Sequence, residues 1–276
     1  MGNSGSYPRA CPAGCPQFIN TVCVSKNPQI MGRAYQVYTL LERKYVQLRT
    51  LKIVHSSIQS FYLIGHNFMN NFTILIPCYN EARTIGTLLN QLIKLYPEIP
   101  VVVIDNNSTD SSLSIIQSFK VAVVQEITLG KARAVRAGLT VVQTPYVILL
   151  DADLEYDAEY ISVLMSNVVV YGMYVGVRPK KLMLWSSRLA NSIIRLILWV
   201  RFKQNVNDCL SGLRIVPTEI LRMSTSHGFE LETELNKLCL KHELDIHSIS
   251  VRYTPRIIGK KIKPRDMLKL IGMALS

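Results

Sequence analysis

From residue 72 onward the chain alternates short apolar runs with longer amphipathic stretches. Phe72–Ile76, Val101–Asp105 and Val121–Gln125 are brief and rich in β-branched residues, and Pro145-Tyr146-Val147-Ile148-Leu149-Leu150 is almost wholly apolar. Such runs predict buried strands. Between them, Ala82–Tyr96, Asp110–Phe119 and Lys131–Val142 carry apolar residues at helical spacing. Tyr160–Val177 reads as a helix end followed by a strand, Val168–Val177. Leu182–Val200 interleaves bulky apolar residues with Arg188 and Arg195. That is the composition of an interfacial helix or of one that covers a domain. The alternation predicts an α/β fold: a mainly parallel, Rossmann-like sheet with helices on both faces. Ligands in such sheets bind at the carboxyl ends of strands.

The first part of the chain reads differently. Residues 1–35 are rich in Gly, Pro, Ser, Asn and Cys and show no period. From Val37, apolar residues at Leu41, Tyr45 and Leu48 predict an amphipathic helix. Three parts are expected: an N-terminal extension over 1–70, an α/β domain over 71–252 and a basic C-terminal segment over 253–276.

Composition narrows the class. Hydrophobic residues make up 49% of the chain, enough for a real core. The net charge of +12 sits at the ends. Residues 1–70 and 252–276 each carry seven Lys/Arg and one acid, whereas 71–251 carry 17 of each sign. Basic ends on a neutral core suggest docking to a polyanion. No nucleic-acid motif or interleaved aromatic pattern appears, so nucleic acid is not the expected partner. An anionic membrane surface is. No apolar run is long enough to read as a span, and no cleavable signal opens the chain, so a cytoplasmic protein, peripheral at the cytosolic face of a membrane, is expected. Six cysteines in a chain of this length do not make a disulfide framework. Cys11, Cys15 and Cys23 cluster without a fourth zinc ligand. Met1-Gly2-Asn3-Ser4-Gly5-Ser6 fits the N-myristoylation pattern.

Polar chemistry gathers where this architecture places ligands. The expected strand ends read Pro77-Cys78-Tyr79-Asn80-Glu81, Asp105 through Asp110, and Asp151-Ala152-Asp153. Two carboxylates two residues apart at a strand end point the same way and can share one cation. Hard oxygen ligands suit Mg²⁺ or Mn²⁺ held against a diphosphate. Glu155 could complete the set. An N-cap is the plainer reading of such Asp residues.

These segments resemble glycosyltransferase family 2. Thr73 through Glu81 resembles the family's opening strand and P-x-Y-N-E turn. Val102-Val103-Ile104-Asp105 with Ser108-Thr109-Asp110 resembles its second strand and Ser-x-Asp loop, and Gly130-Lys131-Ala132-Arg133-Ala134 its G-K-x-x-A helix start. Asp151-x-Asp153 is similar to its metal motif. The resemblance narrows toward polyprenyl-phosphate sugar transferases such as dolichyl-phosphate mannosyltransferase. It does so through Gly176-Val177-Arg178, Ser187-Arg188-Leu189-Ala190-Asn191, Asp208-Cys209-Leu210-Ser211-Gly212-Leu213-Arg214, Gly228-Phe229-Glu230 with Glu234, and Val251 through Arg256. Two departures stand out: Asn106 and Asn107 follow Asp105 where many members carry a second acid, and Glu155 replaces a common Gln. The Q-x-x-R-W motif of processive synthases is missing.

The resemblance implies a GT-A fold and single displacement with inversion. The donor would be a GDP- or UDP-linked sugar and the acceptor a polyprenyl phosphate. Pro77, Tyr79, Glu81 and Asp105 would frame the nucleoside, beside Asp151. Asp151, Asp153 and Glu155 would hold the metal. Arg178, Arg188 and Arg256 resemble positions that grip the acceptor phosphate, with the 253–276 segment closing that site. Guanidinium groups bind phosphate bidentately. An ionised phosphate needs no strong base. A sugar or protein hydroxyl acceptor would need one, with Asp208, Glu230 and Glu232 as candidates. Their plainer readings are a helix cap for Asp208 and a solvated face for the glutamates. A membrane-anchoring partner subunit and a non-catalytic scaffold role complete the alternatives.

Overall fold

The computed structural model describes residues 68–256 and 266–275. The predicted helix from Val37, the Gly2 pattern, the Cys11/Cys15/Cys23 cluster and Lys260, Lys261, Lys263 and Arg265 lie outside the described residues.

Among the described residues seven strands form one sheet: β1 (Phe72–Cys78), β2 (Val101–Asp105), β3 (Ala122–Gln125), β4 (Tyr146–Leu149), β5 (Gly172–Val177), β6 (Arg214–Pro217) and β7 (Asp245–Ser250). Their order across the sheet is β3-β2-β1-β4-β6-β5-β7. The pairings β1–β2, β1–β4, β2–β3 and β5–β7 are parallel. β6 alone runs antiparallel to both its neighbours, β4 and β5. Eight α-helices accompany the strands among the described residues: α1 (Ile85–Leu95), α2 (Ser112–Gln117), α3 (Lys131–Gly138), α4 (Tyr160–Ser166), α5 (Trp185–Phe202), α6 (Thr218–Arg222), α7 (Leu231–Lys241) and α8 (Asp266–Leu275).

The mainly parallel sheet is as the alternation predicts. Val101–Asp105 has the predicted bounds, and the other elements shift by a few residues at their ends. The run 168–177 forms a strand only from Gly172. Side chains of β1 alternate between the two faces. Leu75 turns toward α3 and α7, in one core with Val102, Ile104, Val147, Leu149, Val175, Val216, Leu231 and Leu235. Gly138 is required where α3 crosses the sheet, because a Cβ there would lie 2.7 Å from Ile104 Cδ1 and 2.8 Å from Leu75 Cδ1. A second, smaller core joins α5 to α8 through Ile194, Leu198, Leu270 and Ala274.

The glutamates of α7 are not the solvated face that one sequence reading allows: Glu232 and Glu234 are buried. Glu234 pins the 224–226 loop, accepting bonds from Ser224 Oγ, from the backbone N–H and Oγ1 of Thr225, both at 2.9 Å, and from Ser226 N. Burial works to raise its pKa, but these bonds outweigh it and hold the carboxyl at about 2. A depressed carboxyl stabilises the fold fully above its ordinary value of 4.5, and that contribution is lost as pH falls toward about 2. Acid melts of wild type and Glu234→Gln should therefore converge across that window, with the variant less stable at neutral pH. Parallel melting curves from neutral pH downward would contradict this.

Candidate active site

The reversed strand decides what meets at the ligand edge. The carboxyl ends of β1, β2 and β4 lie together, with Cys78 opposite Asp105 and Leu75 opposite Leu149. β6 runs the other way, so its first residue, Arg214, lies opposite Leu149 and Val175. The 208–213 loop before β6 is thereby delivered to the loops that follow β4 and β5.

The donor side is built on β1 and β2. Asn80 adopts φ 51°, in the left-handed region that Asn tolerates. Its Oδ1 accepts the Thr109 N–H at 2.7 Å and its own N–H donates to Ser108 Oγ at 3.1 Å, knitting the two loops together. Asp105 is buried; its Oδ2 accepts the Ser108 N–H at 3.2 Å, whereas its buried Oδ1 has no partner. An unpaired buried acceptor is costly and points to an absent donor. Asn106, which departs from the family pattern, ties down the next loop. Its Nδ2 donates to Glu126 O and Thr128 O, and its Oδ1 accepts the Gly130 N–H at 2.7 Å. Gly130, at φ 146°, has no room for a Cβ against His227 O. Pro77 and Tyr79 are partly buried on this edge.

The carboxylates follow β4. Asp151 Oδ1 meets Lys131 Nζ at 2.5 Å, and the same ammonium meets Glu232 Oε1 at 2.6 Å. Asp151 Oδ2 lies against Gly212, where a Cβ would overlap the carboxylate. Asp153 Oδ2 is 3.4 Å from Arg256 Nη2, and Arg256 Nη1 also donates to Glu81 Oε1 and Oε2 at 3.0 and 2.8 Å. Burial and the charges of Asp151 and Glu155 push the Asp153 carboxyl up to about 7, despite Arg256. That excess of negative charge among hard oxygen atoms suits a divalent cation.

The expected three-carboxylate set is corrected. Among the described residues no group of three or more His, Cys, Asp or Glu is arranged to hold a metal. Glu155 faces away to the closing segment, where Oε2 accepts the Tyr253 hydroxyl at 2.7 Å and Oε1 accepts the Arg256 N–H at 2.9 Å. It fixes the chain that carries Arg256. Asp151 and Asp153 instead pair with Lys131 and Arg256.

Arg178, at the end of β5, makes a two-pronged bond to Asp208, Nε to Oδ2 and Nη2 to Oδ1, both 2.8 Å. Asp208 also accepts the backbone N–H groups of Arg178 and Leu210, so its two oxygens take four bonds. It lies in the loop between α5 and β6 and caps no helix. The Tyr253 ring centroid is 5.6 Å from the Arg178 guanidinium carbon, and Arg256 follows three residues further along the chain. Arg188 turns to the 180–183 loop instead, with Nε 3.0 Å from Met183 O. Glu230 accepts the His227 and Gly228 N–H groups at 2.8 and 2.9 Å and so shapes the turn into α7.

The sequence profile described as Glycosyl transferase family 2 matches residues 73–222. The chain belongs to glycosyl transferase family 2. Glycosyltransferase AglJ of Haloferax volcanii is 32% identical over 198 residues, 67% of this chain and 64% of that protein, so somewhat less than two thirds of the relative is spanned. Protein RfbJ of Shigella flexneri is 33% identical over 119 residues, 42% of this chain and 89% of its own. Among solved structures, glucosyl-3-phosphoglycerate synthase of Mycobacterium tuberculosis matches with a TM-score of 0.60 at 18% identity, over 75% of this chain and 80% of that one. The same enzyme bound to Mn²⁺, UDP and glucosyl-3-phosphoglycerate matches at 0.55 and 18% identity, over 74% and 76%. The fold is thus the GT-A type of this family.

Within the family 2 site, the sequence places Lys131, Asn106, Gly212 and Arg214 in motifs or beside them but gives none of the four a role. A cation opening a helix was the available signal for Lys131, because it sits at the unfavourable end of the helix dipole. Gly212→Ala is expected to displace Asp151 and lower transfer by about a hundredfold, with little loss of melting temperature. Unchanged kinetics would mean that Asp151 does not need its observed position.

Proposed function

We propose that this chain is a metal-dependent, inverting hexosyltransferase that moves sugar from a nucleoside diphosphate to a polyprenyl phosphate at an anionic membrane surface. The observation that carries the reading is the ion pair of Asp153 with Arg256 beside the charge of Asp151, just after β4 and two strands across the sheet from β2, which ends in the unpaired Asp105 Oδ1. Asp105 and the loop fixed by Asn80 would receive the ribose or base. Asp151 and Asp153 would hold Mg²⁺ or Mn²⁺, which neutralises the leaving diphosphate when bound. Arg178, stiffened by Asp208 and lying against Tyr253, would orient the acceptor phosphate together with Arg256. The mycobacterial synthase has been crystallised with Mn²⁺ and UDP together, which supports the donor and metal classes by analogy of fold.

A lipid acceptor is favoured by α5. Leu184, Trp185, Leu189, Leu196, Trp199 and Val200 are exposed, Trp185 by 76%. From Trp185 to Val200 their spacing puts most of them on one side of the helix. Lys180, Lys181, Arg188, Arg195, Arg201 and Lys203 accompany them, and no acid occurs between Pro179 and Asp208. Each cation near an anionic surface adds about 1 kcal/mol. None of the described helices is long and apolar enough to cross a membrane. Trp185 and Trp199 are the two tryptophans of the chain, so intrinsic fluorescence reports this helix. A blue shift with anionic vesicles and none with neutral ones is expected. Indifference to both would remove the membrane part of the proposal.

The decisive assay supplies labelled GDP- and UDP-sugars with Mn²⁺, with and without polyprenyl phosphate. A lipid-extractable product that disappears with chelator is expected. A product only with soluble glycan or peptide would instead favour a hydroxyl acceptor. Asp208→Asn separates the two chemistries. As a support for Arg178 its loss should cost about tenfold in transfer, because Asn still accepts a bond; as a general base it should cost about 10²–10⁴-fold.

A further inference from the structure

Lys131 stands where two sets of interactions compete. It is the first residue of α3, and its helix start is anchored through Gly130 N to Asn106 Oδ1, at the end of β2. Its ammonium is largely buried and lies between Asp151 Oδ1 and Glu232 Oε1. The second oxygen of Asp151 rests against Gly212. The carboxylate that the proposed metal must use is therefore already bound to a protein cation. Position adds to the argument. A lysine opening a helix faces the positive end of the dipole, and the first turn carries no acid to offset it. The same helix end favours an arriving anion.

We propose that Lys131 is an exchangeable counter-ion that competes with the divalent cation for Asp151 and passes to the donor's diphosphate when the nucleotide arrives, so that metal and nucleotide bind cooperatively. This rests on the metal-dependent reading given above. Without nucleotide, Lys131 occupies Asp151, shares its single charge with Glu232, and keeps metal affinity low. The diphosphate offers the ammonium a stronger anion, and its departure leaves Asp151 open to the cation. Glu232 is the second half of the device: it shares Lys131 and so weakens its hold on Asp151. No covalent bond is made or broken; the exchange is of ion pairs only. Lys131 is a positioning residue until donor is present, and it touches the diphosphate afterwards.

The opposing signs make the idea testable without turnover. Mn²⁺ binding to the full chain is followed by the loss of the free-ion paramagnetic resonance signal, and binding of metal-free UDP and GDP by calorimetry. Lys131→Met should tighten Mn²⁺ binding in the absence of nucleotide by about tenfold or more, since a charge beside the ion is removed. The same variant should weaken metal-free nucleotide binding by a similar factor. Glu232→Gln should weaken Mn²⁺ binding, because the ammonium is then left to Asp151 alone. Lys131→Met with Glu232→Gln avoids an unpaired buried carboxylate and should still bind Mn²⁺ more tightly than wild type. A lysine with a merely structural role would loosen Mn²⁺ binding when lost, and that result, or unchanged affinity, overturns the competition while leaving the metal reading intact. Failure of wild type to bind Mn²⁺ with either nucleotide present would overturn the metal reading and this proposal with it.

Discussion

Asp153→Asn should lower sugar transfer by about 10³-fold or more while leaving the metal-free protein as stable as before, or more so. The first half follows from the proposed chemistry: an amide keeps the shape but loses the charge that would hold a cation against the leaving diphosphate. The second half follows from the site's electrostatics. Asp153 is buried beside Asp151 and Glu155, and those neighbours oppose its ionisation. Removing its charge relieves that repulsion, and Arg256 keeps two bonds to Glu81. Catalytic carboxylates are commonly held at some cost to stability. Initial rates at saturating Mn²⁺ and a thermal melt in chelator test both halves. An active variant would end the proposed role of Asp153, and a large drop in melting temperature would show that its charge is structural.

Arg214→Met should have the largest effect on the fold. Arg214 is fully buried without a carboxylate in ion-pair contact among the described residues, and burial pulls its pKa down. Its guanidinium instead donates to Ser211 O and Cys209 O, both at 2.7 Å, to Glu232 O at 3.3 Å and to Asn236 Oδ1 at 2.8 Å. These acceptors belong to the 208–213 loop and to α7, so one side chain fastens the loop to the helix. Methionine fills most of the volume but leaves several buried acceptors unsatisfied, each costing about 1–3 kcal/mol. A total of about 4 kcal/mol lowers the melting temperature of a domain this size by roughly 10 °C. Lysine should not rescue it, since a single ammonium cannot span the fork. A melt within a few degrees of wild type would show that the loop is held by other means.

β1, β2 and β4 were legible because their residues are almost all apolar and buried, with Asn80, Asp105 and Asp151 at or just beyond their ends. β2 is the clearest instance, with five buried residues and Asp105 at its end. β7 was not: Asp245-Ile246-His247-Ser248-Ile249-Ser250 lies at an edge, half exposed, and its polarity hides it. β6 is only four residues long, and nothing in a four-residue run states its direction. That direction brings Arg214 and the 208–213 loop to the site. The motif positions Arg178, Asp208 and Arg256 were visible in sequence, but their pairings were not, because residues 30 and 175 apart in the chain meet only through the sheet order. Glu155 shows the same limit. Sequence places it two residues beyond Asp153, whereas the turn at Leu154, with φ 58°, directs it to Tyr253.

The backward run of β6 also sets where such a protein can be cut and rejoined. β6 lies between β4 and β5, and its first side chain is fastened to α7 through Asn236. On the proposed reading, in which Arg178 and Arg256 receive the acceptor, a chimera meant to change it would take the whole stretch from Tyr156 through Arg256. A junction placed just after α6, near Arg222, would separate Arg214 from Asn236 and graft a strand without the helix that steadies it. For this chain, the tie between Arg214 and Asn236 favours grafts made as large, intact blocks.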